Sequence, residues 1–203
     1  LLDQSRAYGE ELERRNLVVR DGRLDEWLED LGQRLAPPPL DDYVDYRFRL
    51  LRDPDPNAFA LPDGQVFINT GLVAWLDGEA QLEALLAHEI AHVAGHHAML
   101  AARSAHRREI GSTVLSGILD PLPGFTVDAV DLGQGVATQL SLTARAREFE
   151  LTADARGVAL LRRAGEDPAG MIDLFTRLRE SAALAPEPRF AFGTSHPAIH
   201  DRL

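Results

Sequence analysis

The stretch Leu85-Leu86-Ala87-His88-Glu89-Ile90-Ala91-His92-Val93-Ala94-Gly95-His96-His97 decides how this 203-residue chain is read. It writes H-E-x-x-H from His88 to His92, inside a run otherwise free of charge and proline. On an α-helix, residues i and i+4 share a face, so His88 and His92 can each offer a ring nitrogen to one ion. Glu89 then stands one step round, beside the ion's open side. Zinc held by nitrogen draws the pKa of its water toward neutrality, and a neighbouring carboxylate can take that proton and pass it to a leaving amine. Leu82, Leu85, Leu86, Ile90, Val93 and Ala94 make the helix largely apolar, which suits an interior position rather than a solvated face. A His-Glu-His set buried there without an ion would leave costly unpaired polar groups. The stretch points to a metal-dependent hydrolase.

A third ligand has to come from elsewhere. His96 continues the i+4 series, but eight residues of helix rise span roughly 12 Å, while zinc bonds are about 2 Å long. One escape is a break in the helix. Gly95 matches the glycine of H-E-x-x-H-x-x-G-x-x-H, in which the chain turns and returns a third histidine. That scheme needs a histidine at position 98, where this chain has Ala98; His97 falls one residue short, and replacing it is expected to leave metal binding intact. The stronger candidate is Glu150, which would complete a His2Glu set from a second helix and leave a position for water. Asp154, one turn further along the same face, would then reach the far ring nitrogen of a zinc histidine, most naturally His88. Glu148 is the rival ligand, but it lacks an acidic partner one turn on.

Outward from the motif, residues 2–18 and 24–35 carry apolar positions at helical spacing and predict two amphipathic helices, closed by Pro37-Pro38-Pro39. Residues 43–51 alternate Val44, Tyr46, Phe48 and Leu50 with Asp45, Arg47 and Arg49, the period of a half-buried strand. Residues 57–61 and 65–69 flank Pro62-Asp63-Gly64 and predict a hairpin. A short helix is expected over 71–76, the metal helix from Glu79, and further helices over 143–164 and from Pro168 to about 184. Residues 110–142 contain no Lys or Arg, with Pro121, Pro123 and several glycines; they read either as an ordinary packed loop or as an apolar lid over the cleft. The expected division is a helical segment, 1–36, packed on a catalytic domain, 37–203.

The net charge of -11 and pI near 5.0 argue against nucleic acid and anionic lipid as partners. The absence of cysteine excludes disulfides, thiolate nucleophiles and Cys-bound zinc. No stretch approaches the roughly 20 apolar residues of a membrane span, which leaves room only for a membrane-proximal role. The chain starts at Leu1 with no export signal, so a processed form is expected. Oligomeric state is not legible.

Four pieces in order carry a family resemblance: Asn57-Ala58-Phe59-Ala60-Leu61-Pro62-Asp63-Gly64, Ala87-His88-Glu89-Ile90-Ala91-His92, Glu150-Leu151-Thr152-Ala153-Asp154, and His196-Pro197 with Arg202. Together they make residues 40–203 resemble the HtpX-like and BepA-like zinc metalloendopeptidases of the gluzincin type, the family that also holds the CAAX prenyl endopeptidases. The resemblance implies one Zn2+ per chain on His88, His92 and Glu150, with Glu89 as general base. It also implies an edge strand at Asn57, Ala58 and Phe59 that holds an extended peptide, and a wall near the zinc formed by His196 and Arg202. His196 would either polarise the scissile carbonyl or cap the zinc as a fourth ligand. The expected fold is α+β, a mostly helical zincin-like metalloprotease domain with a small antiparallel-containing sheet packed on the H-E-x-x-H helix. The expected activity is endopeptidase cleavage of extended or unfolded protein and peptide substrates, in periplasmic or envelope quality control. The rival from another class is a latent zinc-bound chaperone-like or partner-binding module capped by His196.

Overall fold

A computed structural model describes residues 1–39, 41–107 and 146–184. In chain order the elements are α1 (Leu2–Arg14), α2 (Gly22–Leu35), β1 (Arg47–Leu51), β2 (Ala58–Ala60), β3 (Gln65–Asn69), α3 (Thr70–Trp75), α4 (Glu79–Ala94), α5 (His97–Arg107), α6 (Ala146–Ala164) and α7 (Ala169–Leu184). His196, Arg202 and residues 110–142 lie outside the described residues.

The first helix is shorter than its apolar spacing predicts. It stops at Arg14 because Asn16 adopts the left-handed conformation (φ 56°), a cost that Asn tolerates better than most residues. Asn16 N–H donates to Glu13 O and Leu17 N–H to Leu12 O, so the freed carbonyls of the last turn are satisfied and Leu17 folds back on Leu12. Val18, expected on the helix, instead forms an antiparallel bridge with Leu51 on β1. Helix α2 begins at Asp21, whose carboxylate accepts from the N–H groups of Arg23 and Leu24. It buries Leu28, Leu31 and Leu35.

The alternation over 43–51 places Val44, Tyr46, Phe48 and Leu50 in the core and leaves Asp45 and Arg47 exposed, although ladder pairing begins only at Arg47. The sheet has three strands in the order β1-β3-β2. β2 and β3 are the antiparallel arms of the hairpin, with Phe59 opposite Phe67. At its tip Gly64 has φ 101°, and a Cβ there would stand 2.7 Å from Asp45 O, so glycine is required both by conformation and by space. β1 joins the other side of β3 in parallel, Phe48 opposite Val66. The sheet is therefore mixed, antiparallel on one side only.

Helix α4 lies at the centre. Sheet strands and α2 pack on it, as do α6 and α7, and every residue from Gln81 to Ala91 is buried. A helix apolar on all sides needs this full wrapping. The main core runs through Leu85, Leu86 and Ile90 of α4 to Ile68, Leu161 and Phe175, while a smaller cluster of Leu12, Val18, Leu51, Phe59, Leu61 and Phe67 fills the far side of the sheet.

Candidate metal centre

Helix α6 presents a stripe, Glu150, Ala153, Asp154, Gly157 and Leu161, to α4. Ala153 and Leu161 are fully buried, and a Cβ on Gly157 would stand 3.4 Å from Ala87 C and from His88 N. The glycine lets the two helices approach at the backbone of the motif itself. One turn earlier on α6, Asp154 Oδ1 lies 2.9 Å from His88 Nδ1, and that ring nitrogen donates its proton to the carboxylate. His88 Nε2 then carries no proton and faces His92 and Glu150. A further turn back, Glu150 stands 3.5 Å from His88 Nε2 and 3.3 Å from His92 Nε2.

The two Nε2 atoms are 3.0 Å apart, and the donor atoms of His88, His92 and Glu150 all fall within 4.8 Å of one another. Ligands bound tetrahedrally at zinc distances of about 2.0–2.2 Å sit about 3.3 Å from each other, so the three fit one ion of that kind. Burial supports the fit. His88 is fully buried, Glu89 is 2% exposed and Glu150 4%, and ionised carboxylates out of water cost several kcal/mol each unless a positive charge meets them. A divalent cation held by the three donors would supply such a charge.

Beyond Ala94 the helix breaks. Gly95 is still right-handed, His96 is left-handed (φ 52°), and α5 starts at His97. His96 turns away from the centre, with Tyr43 Oη 3.4 Å from its Nδ1 and Asp41 3.2 Å from its Nε2; the helix rise expected to separate it from His88 does not apply, because the helix ends before it. The turn carries His97 back under His92, Nδ1 to Nδ1 at 3.0 Å, with its ring stacked on Phe149 of α6 at 4.6 Å. Burial, with His92 and Arg156 nearby, pushes the His97 imidazolium down to about 3, so the ring is neutral. A Cβ on Gly95 would overlap the His97 ring. The sequence raises a break at Gly95 only as a route to a third ligand, set aside in favour of Glu150, and gives His97 no part in the centre. The break was the available signal; the direction in which the chain returns depends on the left-handed residue, which is not a glycine.

The strand expected to hold peptide is an edge among the described residues. Ala58 is fully buried and Phe59 stacks on Phe67 at 5.3 Å, so both side chains are committed to the cores. Asn57 is buried too, and its carbonyl accepts from Asn69 N–H.

Two imidazoles and a carboxylate converge from two helices, with a buried glutamate next to the first imidazole, and form a group that could hold a metal ion. The family model described as Peptidase family M48 matches residues 20–203, and the chain belongs to that family. It is 29% identical over 192 residues to the Beta-barrel assembly-enhancing protease of Escherichia coli (strain K12), covering 92% of this chain and 39% of that protein. It is 30% identical over 158 residues to the Mitochondrial metalloendopeptidase OMA1 of Schizosaccharomyces pombe, covering 78% of this chain and 44% of the relative. The OMA1 metalloendopeptidase of Bos taurus is 30% identical over 165 residues, 78% of this chain and 31% of the relative. The chain thus spans less than half the length of these relatives. No helix among the described residues is long and apolar enough to cross a membrane.

Proposed function

We propose that this chain is a zinc-dependent endopeptidase of gluzincin type and zincin-like fold, holding one Zn2+ on His88, His92 and Glu150. It would cleave internal bonds of extended or unfolded proteins in the bacterial envelope. The observation that carries the reading is the meeting of His88 Nε2, His92 Nε2 and Glu150 within 4.8 Å in the interior, beside Glu89. When bound, zinc would lower the pKa of a water toward neutrality and polarise the scissile carbonyl. Glu89 takes the proton of the attacking water and delivers it to the leaving amine. Asp154 holds the His88 ring in the tautomer that leaves Nε2 unprotonated. β2 meets an extended peptide through its main chain, which reads backbone rather than sequence and suits unfolded substrates of varied composition. The envelope setting and a quality-control role are supported by the name of the Escherichia coli relative.

The test is metal analysis of the purified chain with casein cleavage measured before and after chelation. One zinc per chain and cleavage that stops with chelator and returns with zinc are the expected results. Cleavage indifferent to chelator, or a chain that takes up no zinc, overturns the reading.

A further inference from the structure

The two histidines of the centre are held from behind by different groups. His88 gives its Nδ1 proton to a carboxylate on another helix, Asp154. His92 has its Nδ1 3.0 Å from Nδ1 of His97, a residue of the same chain segment that has turned through the break at Gly95 and His96. The two Nδ1 atoms face each other with no ion to join them, so one donates a proton and the other accepts it. His92 Nε2 faces His88 Nε2 at 3.0 Å and Glu150 at 3.3 Å; with both Nε2 atoms turned to one ion, neither carries a proton, and the His92 proton sits on Nδ1. His97 must then be the acceptor, with its own proton on Nε2.

We propose that His97 is a positioning residue for the metal centre: its Nδ1 accepts the Nδ1–H of His92 and so fixes the tautomer and aim of that ring. This rests on His88, His92 and Glu150 being the ligand set. The local structure supports a placed ring rather than filler. Phe149 stacks on it within 14° of parallel, Gly95 leaves out the Cβ that would strike it, and His96 takes a strained left-handed conformation to bring it there. A phenyl ring would meet the packing demands equally well; only an acceptor meets the hydrogen-bonding demand. The two ligands then differ in character. The carboxylate behind His88 raises that ring's basicity, whereas the neutral ring behind His92 orients without adding charge.

The experiment measures zinc affinity by competition with a chromophoric chelator for wild type, His97→Phe and His97→Asn, alongside thermal melting of each metal-free protein. Phe keeps the stack and loses the acceptor; Asn loses the stack but carries a carbonyl oxygen near the place of Nδ1. Expected is a loss of about 10 to 100 fold in zinc affinity for His97→Phe, the usual scale for a partner behind a metal ligand, with most of it regained in His97→Asn. Wild-type affinity in His97→Phe, or an equal loss in both variants, overturns the proposal in favour of packing. Long-range proton–nitrogen NMR of the zinc-loaded wild type needs no variant to fold. It should place the protons on His92 Nδ1 and His97 Nε2, and the reverse assignment also overturns the proposal. Failure of wild type to bind zinc at all removes the ligand set and this inference with it, which separates the two failures.

Discussion

At the scale of single residues, Glu89 separates binding from chemistry. Glu89→Gln keeps the shape and leaves His88, His92 and Glu150 in place, but an amide cannot take a proton from the attacking water. The variant should bind zinc as wild type does and lose casein cleavage by at least about 100 fold, the lower end of what a positioned general base contributes. Normal turnover at equal zinc content would defeat the role given to Glu89. Asp154→Ala should weaken zinc binding by about 10 to 100 fold with the fold retained, since it takes the acceptor from behind His88 without touching a ligand. Unchanged affinity in a chelator titration would reduce Asp154 to packing. The contact between Asp154 and His88 is legible from the sequence because helix spacing puts Glu150 and Asp154 on one face and His88 and His92 on another, and a shared ion would join the faces. The contact of His97 with His92 is not legible, because it spans a break whose direction is set by the backbone of His96 and by Asp41 and Tyr43 around it.

At the scale of elements, the distance between α4 and α6 decides whether a centre exists. Gly157 sets it. An alanine Cβ would meet the terminal methyl of Met171 at 2.9 Å, which a flexible side chain can yield, and the α4 backbone at 3.4 Å, an ordinary contact. Gly157→Ala should therefore keep zinc affinity within about twofold, its better helix propensity offsetting any crowding by about 1 kcal/mol. Gly157→Val adds two methyl groups at the crossing. It should cost about 1 to 3 kcal/mol of stability in a urea melt and lower zinc affinity more than tenfold, because α6 carries both Glu150 and Asp154 away with it. If valine left affinity untouched, the close approach would not be what aligns the ligands. Among elements, the hairpin at Pro62-Asp63-Gly64 and the central α4 announce themselves locally, one by turn chemistry and the other by apolar residues on all sides. The parallel pairing of β1 with β3 does not. It depends on the chain passing from β1 to the far edge before β2 returns it to the middle, and on ties such as Asp45 N–H to Asp63 O that no short pattern encodes.

At the scale of the whole molecule, the centre is a clasp. His88 and His92 belong to the helix around which the core is built, and Glu150 belongs to a helix 50 or more residues later in the chain, so an ion shared by them joins distant parts of the sequence. In this acidic chain of net charge -11 the carboxylates of Glu89 and Glu150 are buried, at 2% and 4% exposure. The unfolded chain does not assemble the three donors, so binding favours the folded state by mass action, by about 4 kcal/mol when free zinc is 1,000 times the dissociation constant. For a domain of this size each 1 kcal/mol moves the melting temperature by roughly 2 to 4 °C, so zinc at that excess should raise it by about 8 to 16 °C over the chelated protein. Magnesium, a hard ion that prefers octahedral oxygen, should leave it unchanged. Glu150→Ala, which removes the proposed ligand on α6, should lose most of the zinc-dependent rise. Differential scanning calorimetry of the two proteins, with zinc and with chelator, checks all of this together. An equal zinc-dependent rise in wild type and Glu150→Ala would mean that the stabilising ion sits elsewhere and that α4 and α6 are held together by packing alone.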